Sequence, residues 1–366
     1  MYPLKPEQPK NSQHMTRMLL GISMALALVS NELAAQLPRI IVEGSGDPTV
    51  HTDLLAAIAA AQPGDKLYLS GGVFTAAGNL VLDKRLHFIG AGIHPDSSGV
   101  TGVTSINITG SGSDLVITTG ASGSTYTGIG FLPDGGTLYG TSVDDDDPTG
   151  LVFQRCEFKR GAINLNGYGG STGSATFDEC IMHTTGTNQN LTGGLGEVVI
   201  TRCILNHKTL SGFSRLFLKN SVILDARLQN SAYAIVQNCV FTYNGAPLWQ
   251  VSGVQISDCL VGGASMFSNS NTSSETSNIY GIPQGTFFVN ETDNWYTFGD
   301  DLHLAAGSAG IGAGSDGTDI GLYGTHAPYK AGNAPYNPHF QQAAIDPATN
   351  WNGELPVQIR AAAQPH

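Results

Sequence analysis

The sequence contains few charged residues and no run of basic ones. Charged residues make up 13% of the 366 residues, and 29 Asp and Glu outnumber 17 Lys and Arg, which gives a net charge of −12. Binding to nucleic-acid phosphates depends on clustered Lys and Arg. The composition therefore argues against a nucleic-acid partner, and with 47 glycines it suits one elongated domain.

The apolar run near the N-terminus is too short to cross a bilayer. It covers residues 18–29, MLLGISMALALV, and lies between Arg17 and the small residues of LAA at 33–35. A span needs about 20 apolar residues, whereas a basic start, a short apolar core and small residues are typical of a secretory signal. This pattern predicts cleavage near Ala35/Gln36, a secreted or periplasmic protein and no transmembrane span. A buried core helix is the alternative.

One short segment recurs six times in the middle of the chain, at steps of 18 to 24 residues. Internal repetition on this scale is typical of a solenoid. The copies are LVFQRCEF (151–158), ATFDECIM (175–182), VVITRCIL (198–205), LFLKNSVI (216–223), AIVQNCVF (234–241) and VQISDCLV (254–261).

Each copy predicts two short strands joined by a corner. The copies align at what we call the ladder position, and apolar residues stand five and three before it, at it, and two after it. Alternate residues of a strand share a face. The first pair of positions lies an odd number of residues from the second pair, so one straight strand could not point all four side chains inward. The chain must therefore bend between the two pairs. The bend falls at polar pairs such as Lys219-Asn220, where Asn tolerates the left-handed backbone that a corner needs. The ladder position holds Cys156, Cys180, Cys203, Ser221, Cys239 and Cys259.

A leucine 11 to 15 residues before the ladder position indicates a further strand in each coil. These are Leu165, Leu191, Leu210, Leu228 and Leu248. We call this strand the first of its coil and the two repeat strands the second and third. TYTGIGF (125–131), with Ile129 at the ladder position, and RLHFIGAG (85–92) fit as earlier coils. The predicted fold is all-β, a right-handed single-stranded parallel β-helix of three sheets, and a β-sandwich is the alternative.

The segments that flank the repeats carry a family resemblance. Residues 53–74, DLLAAIAAAQPGDKLYLSGGVF, read as a helix, a turn and a strand. They resemble the entry segment of the pectin lyase-like superfamily of secreted β-helices, as does HFIGAGIHPDSS (87–98), and DLHLAAGSAGIGAGSDGTDIGLYG (301–324) resembles the exit. The resemblance covers residues 40 to about 325 and implies a capping helix, but no catalytic signature of one member family is present.

These features divide the chain into four parts. Residues 1–35 are the predicted signal segment, 36–84 the N-terminal cap and first coil, and 85–324 the β-helix. Residues 325–366 are predicted to pack as a tail on the solenoid, because the outward columns of the second and third strands are apolar and an exposed apolar surface of that extent is unusual. The alternative is that a second copy of the chain covers these apolar columns in a homo-oligomer.

The five cysteines have no zinc-ligand spacing and all fall at the ladder position. Stacked strands bring their Cα atoms within disulfide reach, but the side chains run parallel instead of converging. We therefore predict free, buried thiols that act as small apolar fillers.

The first strand presents a polar face that suits carbohydrate. Amides exchange hydrogen bonds with sugar hydroxyls, Trp stacks on a pyranose ring, and Arg binds a uronate carboxylate through two hydrogen bonds. In the superfamily that the chain resembles, the polysaccharide cleft usually lies on this sheet. The predicted substrate-binding residues are Asn164, Asn166, Asn190, Gln229 and Trp249, and an ordinary solvated sheet is the alternative.

The catalytic and metal-binding predictions are based on a few residues without a complete motif. Arg227 or Lys208 could be the base of a uronate lyase, with Asp225 nearby, but no cluster of acidic ligands accompanies them. The run Asp144, Asp145, Asp146 and Asp147 could hold Ca²⁺, although it lacks the alternating ligands of a defined loop, and a solvated loop is the alternative. His183 and His207 follow third strands and read as turn residues.

Three function classes remain open. The first is a secreted β-helix that binds polysaccharide on its first-sheet face without turning it over. The second is a polysaccharide lyase or glycoside hydrolase on the same face. The third is a non-catalytic surface or adhesive protein that assembles through its apolar faces. The first is favoured because the first-sheet columns contain no carboxylate pair for acid and base chemistry.

Overall fold

Short strands stacked into three sheets make up most of this computed structural model. It describes residues 38–95, 101–184, 190–330, 339–345 and 348–362. The predicted signal segment, residues 1–35, lies outside the described residues.

The second sheet has twelve strands and is parallel except at its N-terminal end, where the strand Ile40–Glu43 pairs antiparallel with both neighbours. In spatial order the strands are Thr49–His51, Ile40–Glu43, Lys66–Leu69, His87–Ile89, Thr125–Thr127, Leu151–Gln154, Ala175–Asp178, Glu197–Thr201, Arg215–Lys219, Ile235–Gln237, Gln255–Ser257 and Ser274–Thr276.

The third and first sheets have nine parallel strands each. The third comprises Gly72–Ala77, Thr104–Thr109, Gly130–Pro133, Glu157–Phe158, Ile181–His183, Ile204–Asn206, Val222–Leu224, Val240–Phe241 and Leu260–Val261. The first comprises Leu80–Leu82, Leu115–Ile117, Gly136–Tyr139, Ala162–Asn164, Leu191–Thr192, Leu210–Ser211, Leu228–Gln229, Leu248–Trp249 and Phe267–Ser268. Three parallel sheets visited once per coil confirm the predicted β-helix.

The register of the repeats is as predicted. Leu151 pairs with Ala175, Ala175 with Val198, and Val198 with Leu216 along the second sheet. Ile129 occupies the ladder position of an earlier coil, because its carbonyl accepts a hydrogen bond from Glu157 N–H at 3.0 Å. The six-fold repeat in the sequence is thus a stack of coils in space.

The predicted corner is a left-handed residue immediately before each ladder position. Its φ lies between 48° and 55° in all six copies, at Arg155, Glu179, Arg202, Asn220, Asn238 and Asp258. Each of these residues donates its amide hydrogen to the next coil, as Asn220 does to the Gln237 carbonyl at 3.1 Å. The continuous row of hydrogen bonds offsets the cost of about 1–2 kcal/mol that L-residues incur in this conformation.

The first three corners use Arg or Glu where the later ones use Asn or Asp. Arg155 Nε lies 2.9 Å from Glu179 Oε2, and both side chains are fully buried. Arg202 binds the Asp178 carboxylate through Nη2 at 2.6 and 2.7 Å. The corners are therefore tied between coils by ion pairs as well as by backbone hydrogen bonds.

All five cysteines are free and buried, as predicted. At three ladder positions, Cys203, Ser221 and Cys259, the side chain is more than a filler, because it accepts a hydrogen bond from the ladder amide of the preceding coil. The Cys203 thiol accepts from Cys180 N–H at 3.3 Å, and the Ser221 hydroxyl accepts from Cys203 N–H at 3.1 Å. Burial raises the pKa of the Cys156, Cys180 and Cys259 thiols.

The capping helix runs from Leu54 to Ala60 and closes the N-terminal end of the core. Asp53 accepts a hydrogen bond from Ala56 N–H at 2.7 Å and so caps the first turn. Leu54, Ala57 and Ile58 join the solenoid core cluster, which confirms the predicted cap.

Inside the second sheet, aromatic rings stack in a row at centroid distances of 4.7 to 5.4 Å: Phe88, Tyr126, Phe153 and Phe177.

One predicted column needs correction. Ile163, and not Leu165, pairs with Leu191 in the first sheet. Both side chains are buried, but Leu165 lies beyond the end of the strand. The coil between the first two repeats is longer than the later ones, so counting back from the ladder position misplaced the strand by two residues. The outward neighbour in register with Thr192 is therefore Asn164, and Asn166 lies outside the column.

The outward apolar column of the third sheet is covered, but mostly by an earlier part of the chain than predicted. Residues 279–282 still pair with the third strand of the preceding coil, as Ile279 does with Leu260. The cover runs from residue 283 to residue 329, and it includes the two-stranded sheet Phe288–Asn290 and Asp301–Leu304. Ile181, Ile204, Val222, Val240 and Leu260 form a second core cluster with Phe287, Phe288, Tyr296, Leu302, Ile320, Leu322 and Tyr329.

The segment that resembles an exit coil, residues 301–324, belongs to this cover and packs on the outside of the solenoid. Of the predicted tail after residue 325, Tyr329 joins the cluster. A separate hairpin pairs His339–Ile345 with Val357–Ala362.

Candidate functional site

The outward column of the first sheet changes character along the solenoid. In the early coils it is aliphatic, with Val81, Val116 and Leu138 in register. From the next coil onward it is polar or aromatic. Its residues, in register from coil to coil, are Asn164, Thr192, Ser211, Gln229, Trp249 and Ser268. All six side chains are partly accessible. The later coils therefore carry an open polar face, as the sequence predicts.

Arg227 stands at the centre of this polar face. Its guanidinium carbon lies 5.2 Å from the Trp249 ring centroid and 5.7 Å from the Tyr243 ring centroid. Among the described residues its guanidinium has no carboxylate or hydrogen-bond partner. Each cation–π contact at such a site contributes about 0.5–1 kcal/mol. The two rings thus orient the guanidinium and leave its N–H groups available to a ligand.

The predicted substrate-binding residues fall into two groups. Gln229 pairs directly with Trp249 across neighbouring coils, so both lie beside Arg227. Asn164 lies three coils away, about 14 Å at the usual strand spacing, and its Oδ1 accepts a hydrogen bond from Asn166 N–H at 3.0 Å. Asn166 belongs to a turn, since its carbonyl accepts a hydrogen bond from Gly169 N–H. Asn190 lies one residue before the strand of its coil.

Lys208, the second candidate base, points away from this face. Its side chain is fully buried, and Nζ donates to the Gly161 carbonyl at 2.7 Å and to the His183 carbonyl at 3.1 Å. Burial lowers the pKa of this amine to about 7. Lys208 therefore bridges coils inside the solenoid, where it cannot contact a polymer on the first sheet.

The acidic run uses its carboxylates to anchor neighbouring loops. Asp145 accepts from Thr119 N–H at 3.2 Å, Asp146 from Tyr168 N–H at 2.8 Å, and Asp147 from Thr172 N–H. Asp144 is exposed. The carboxylates thus diverge toward different loops, and within the described ranges no group of three or more His, Cys, Asp or Glu is placed to hold a metal ion.

The two histidines lie in different environments. His183 Nε2 lies 3.1 Å from Glu157 Oε1, and its Nδ1 lies 3.1 Å from the Asn206 amide nitrogen. His207 Nδ1 lies 3.6 Å from Asp225, and its ring lies 4.9 Å from that of Trp295. Neither histidine is part of the cluster around Arg227.

Sequence reasoning missed Tyr243 as a member of this site. It lies in the turn after the third strand, two residues beyond Phe241, and no periodic pattern marks it. Only the spatial stacking of the turn on the preceding coil brings its ring to Arg227.

The comparisons with known proteins leave the family open. No family model matches this chain, and no curated protein sequence matches it significantly. None of the helices in the described part of the chain has the length and apolar character needed to cross a bilayer.

Proposed function

We propose that this chain binds an acidic polysaccharide on its first-sheet face. The observation that carries the proposal is Arg227, whose guanidinium is held by two aromatic rings on an accessible sheet. A uronate carboxylate would supply the two acceptor oxygens that a guanidinium binds best. Trp249 and Tyr243 offer apolar ring surface for a sugar, and Gln229 offers an amide for its hydroxyl groups. Regular coil spacing suits a ligand that is itself a repeating polymer.

Export would bring the protein to such polymers, and the signal segment predicted at residues 1–35 is part of the proposal. The net charge of −12 opposes binding of a polyanion through bulk electrostatics. Recognition would therefore depend on the local geometry around Arg227. The affinity should consequently be modest and specific to this patch.

The test is a binding titration of the purified chain with polygalacturonate, alginate and a neutral glucan. We expect the two acidic polymers to bind and Arg227→Gln to weaken their binding at least tenfold. Trp249→Leu should weaken it comparably, because it removes both ring surface and the support of Arg227. Arg215→Gln is the matched control, since Arg215 is an exposed arginine on the second sheet. Equal loss in the control, or equal binding of the neutral glucan, would contradict the proposal.

The lyase alternative is tested on the same samples. Unsaturated products are followed by their ultraviolet absorbance, with and without Ca²⁺, and new reducing ends report hydrolysis. Because Lys208 is buried, turnover by a lyase on this face would depend on Arg227 and not on Lys208. We expect binding without turnover, and product formation that Arg227→Gln abolishes would assign the lyase reaction instead.

A further inference from the structure

A cavity of about 110 Å³ lies between the cover and the third sheet, away from the first-sheet face. Ile204 of the third sheet and Leu302 of the cover contribute apolar walls. A dry apolar cavity of about 150 Å³ can admit benzene. The cavity here is of the same order, so it can hold a compact group of about five or six non-hydrogen atoms.

Most of the remaining lining is aromatic, with one carboxylate. These residues are His94, Tyr296, Phe298, Asp300, Tyr323 and Tyr329. Neighbouring rings meet edge to face: Tyr296 and Phe298 at 6.1 Å and 72°, and Tyr323 and Tyr329 at 5.8 Å and 84°. Rings set nearly perpendicular to one another enclose a space from several directions. One face of Tyr323 is covered by the His303 ring, whose centroid lies 3.6 Å away. The ring faces that no neighbour covers carry negative potential, which attracts a cation.

The lining of the cavity also contains one carboxylate, that of Asp300. Asp300 is partly buried, and its Oδ2 accepts a hydrogen bond from Thr297 N–H at 2.6 Å. Burial raises the pKa of the Tyr296 hydroxyl, and the nearby Tyr323, Asp300 and Glu157 raise it further. Burial and Asp301 raise the pKa of Tyr323 to about 12. Both phenols therefore stay neutral at physiological pH and keep their rings beside carboxylates.

We propose that this cavity binds a compact quaternary ammonium group, of the kind that choline-type compounds and choline lipid headgroups carry. Such a group has an apolar surface that the rings can contact and a positive charge that the rings and Asp300 stabilise. It donates no hydrogen bonds, so it needs none of the acceptors that an ordinary ammonium ion requires. The site is separate from the polysaccharide face, and neither proposal depends on the other.

The test is calorimetric titration of the full chain with choline, compared with 3,3-dimethylbutan-1-ol, which has the same shape without the charge. We expect choline to bind and the neutral compound to bind at least tenfold more weakly. Absence of choline binding, or equal binding of the two compounds, would overturn the proposal.

Two variants probe the lining without emptying the core. Asp300→Asn keeps an acceptor for Thr297 N–H and removes the charge, and Phe298→Leu keeps an apolar side chain and removes a π face. Each should weaken choline binding by about tenfold. Trp351→Leu is the control, because Trp351 is 94% exposed and is not part of the cavity lining, and it should leave choline binding unchanged. Amide NMR spectra establish that each variant is folded. Unchanged affinity in both lining variants would overturn the site.

A last arm identifies the source of the ligand. Cosedimentation with phosphatidylcholine vesicles, compared with phosphatidylglycerol vesicles, tests a lipid headgroup. Preference for phosphatidylcholine that Asp300→Asn abolishes supports a headgroup. Binding of free choline alone supports a soluble compound. Preference for phosphatidylglycerol together with no choline binding contradicts the proposal.

Discussion

Cysteine and serine make equivalent hydrogen bonds at the ladder position. Ser221 accepts from the amide of Cys203, as Cys203 accepts from the amide of Cys180, and both side chains are fully buried. The position therefore selects a small side chain with an acceptor atom. This explains why one serine interrupts a column of cysteines without disturbing the stack.

We expect Ser221→Ala to lower the free energy of unfolding by about 1–3 kcal/mol, because it leaves the buried Cys203 amide without an acceptor. Ser221→Cys should cost less, since the thiol restores the acceptor that other coils use. Urea denaturation of the two variants measures the difference. Equal destabilisation by Ala and Cys would show that this hydrogen bond contributes little.

Lys208 should make stability depend on pH. Its folded pKa of about 7 lies below the usual value near 10.4 for an unfolded chain. Between these values the unfolded chain holds a proton that the folded chain lacks, so the free energy of unfolding rises with pH. Below pH 7 both states are protonated, and the folded state bears the full cost of burying the charge.

The variant Lys208→Met removes this term. From pH 7 to pH 10 the wild-type chain should gain up to about 4 kcal/mol of unfolding free energy relative to the variant. Tyrosines and cysteines titrate in the same range, but they contribute to both proteins and cancel in the difference. Parallel stability curves would refute the buried, neutral Lys208.

At the scale of a coil, the corner residue is the element that turns a strand pair into a solenoid. Six corners share one backbone conformation although their side chains are Arg, Glu, Asn and Asp. Left-handed backbone suits Gly and Asn better than residues such as Ala. The preference should therefore be measurable at a corner that carries no ion pair.

Asn220, with φ of 48°, is such a corner. We expect Asn220→Ala to cost about 1 kcal/mol and Asn220→Gly to be nearly neutral. Lys219 in the adjacent strand is the matched control. There Lys219→Gly should lower the free energy of unfolding more than Lys219→Ala, because Gly weakens a strand relative to Ala. Chemical denaturation of the four variants measures both orders. The same order at both positions would contradict the assignment of strain to the corner.

At the scale of the whole molecule, the solenoid and its cover are formed by separate, consecutive segments of the chain. The stacked coils end near residue 282, and residues 283–329 return along the third sheet to bury its apolar column. Contacts within the solenoid repeat from coil to coil, whereas the cover is held by single, non-repeating contacts such as the one between Asn238 and Ser315 at 3.0 Å. Such a segment can open without unfolding the stack.

The variant Leu322→Asp should loosen the cover selectively, because it places a carboxylate in the second core cluster, where Leu322 is 1% exposed. Limited chymotrypsin digestion is expected to cut first at Phe287, Phe288 or Tyr296 and to leave a resistant fragment that ends at one of these residues. Mass spectrometry of the fragments checks this order. Cleavage spread evenly over the coils would mean that cover and solenoid unfold together.

The features that repeat could be predicted from the amino-acid sequence. Ladder positions, corner positions and inward columns follow from alternation along strands and from neighbouring coils that pair in register, so Cys156 and Ile129 were placed correctly by counting. Counting failed at Leu165, where a longer coil shifted the strand by two residues. The polar face around Arg227 was predictable for the same periodic reason.

Contacts made on the outside of the solenoid, and contacts across its turns, could not be predicted from the sequence. No periodicity links residues 283–329 to the column that they cover, and none links Tyr243 to Arg227. Lys208 looked like a surface base in the sequence, but its long side chain extends inward to two carbonyl groups of earlier coils. Such contacts depend on loop lengths and side-chain direction, which local patterns do not encode.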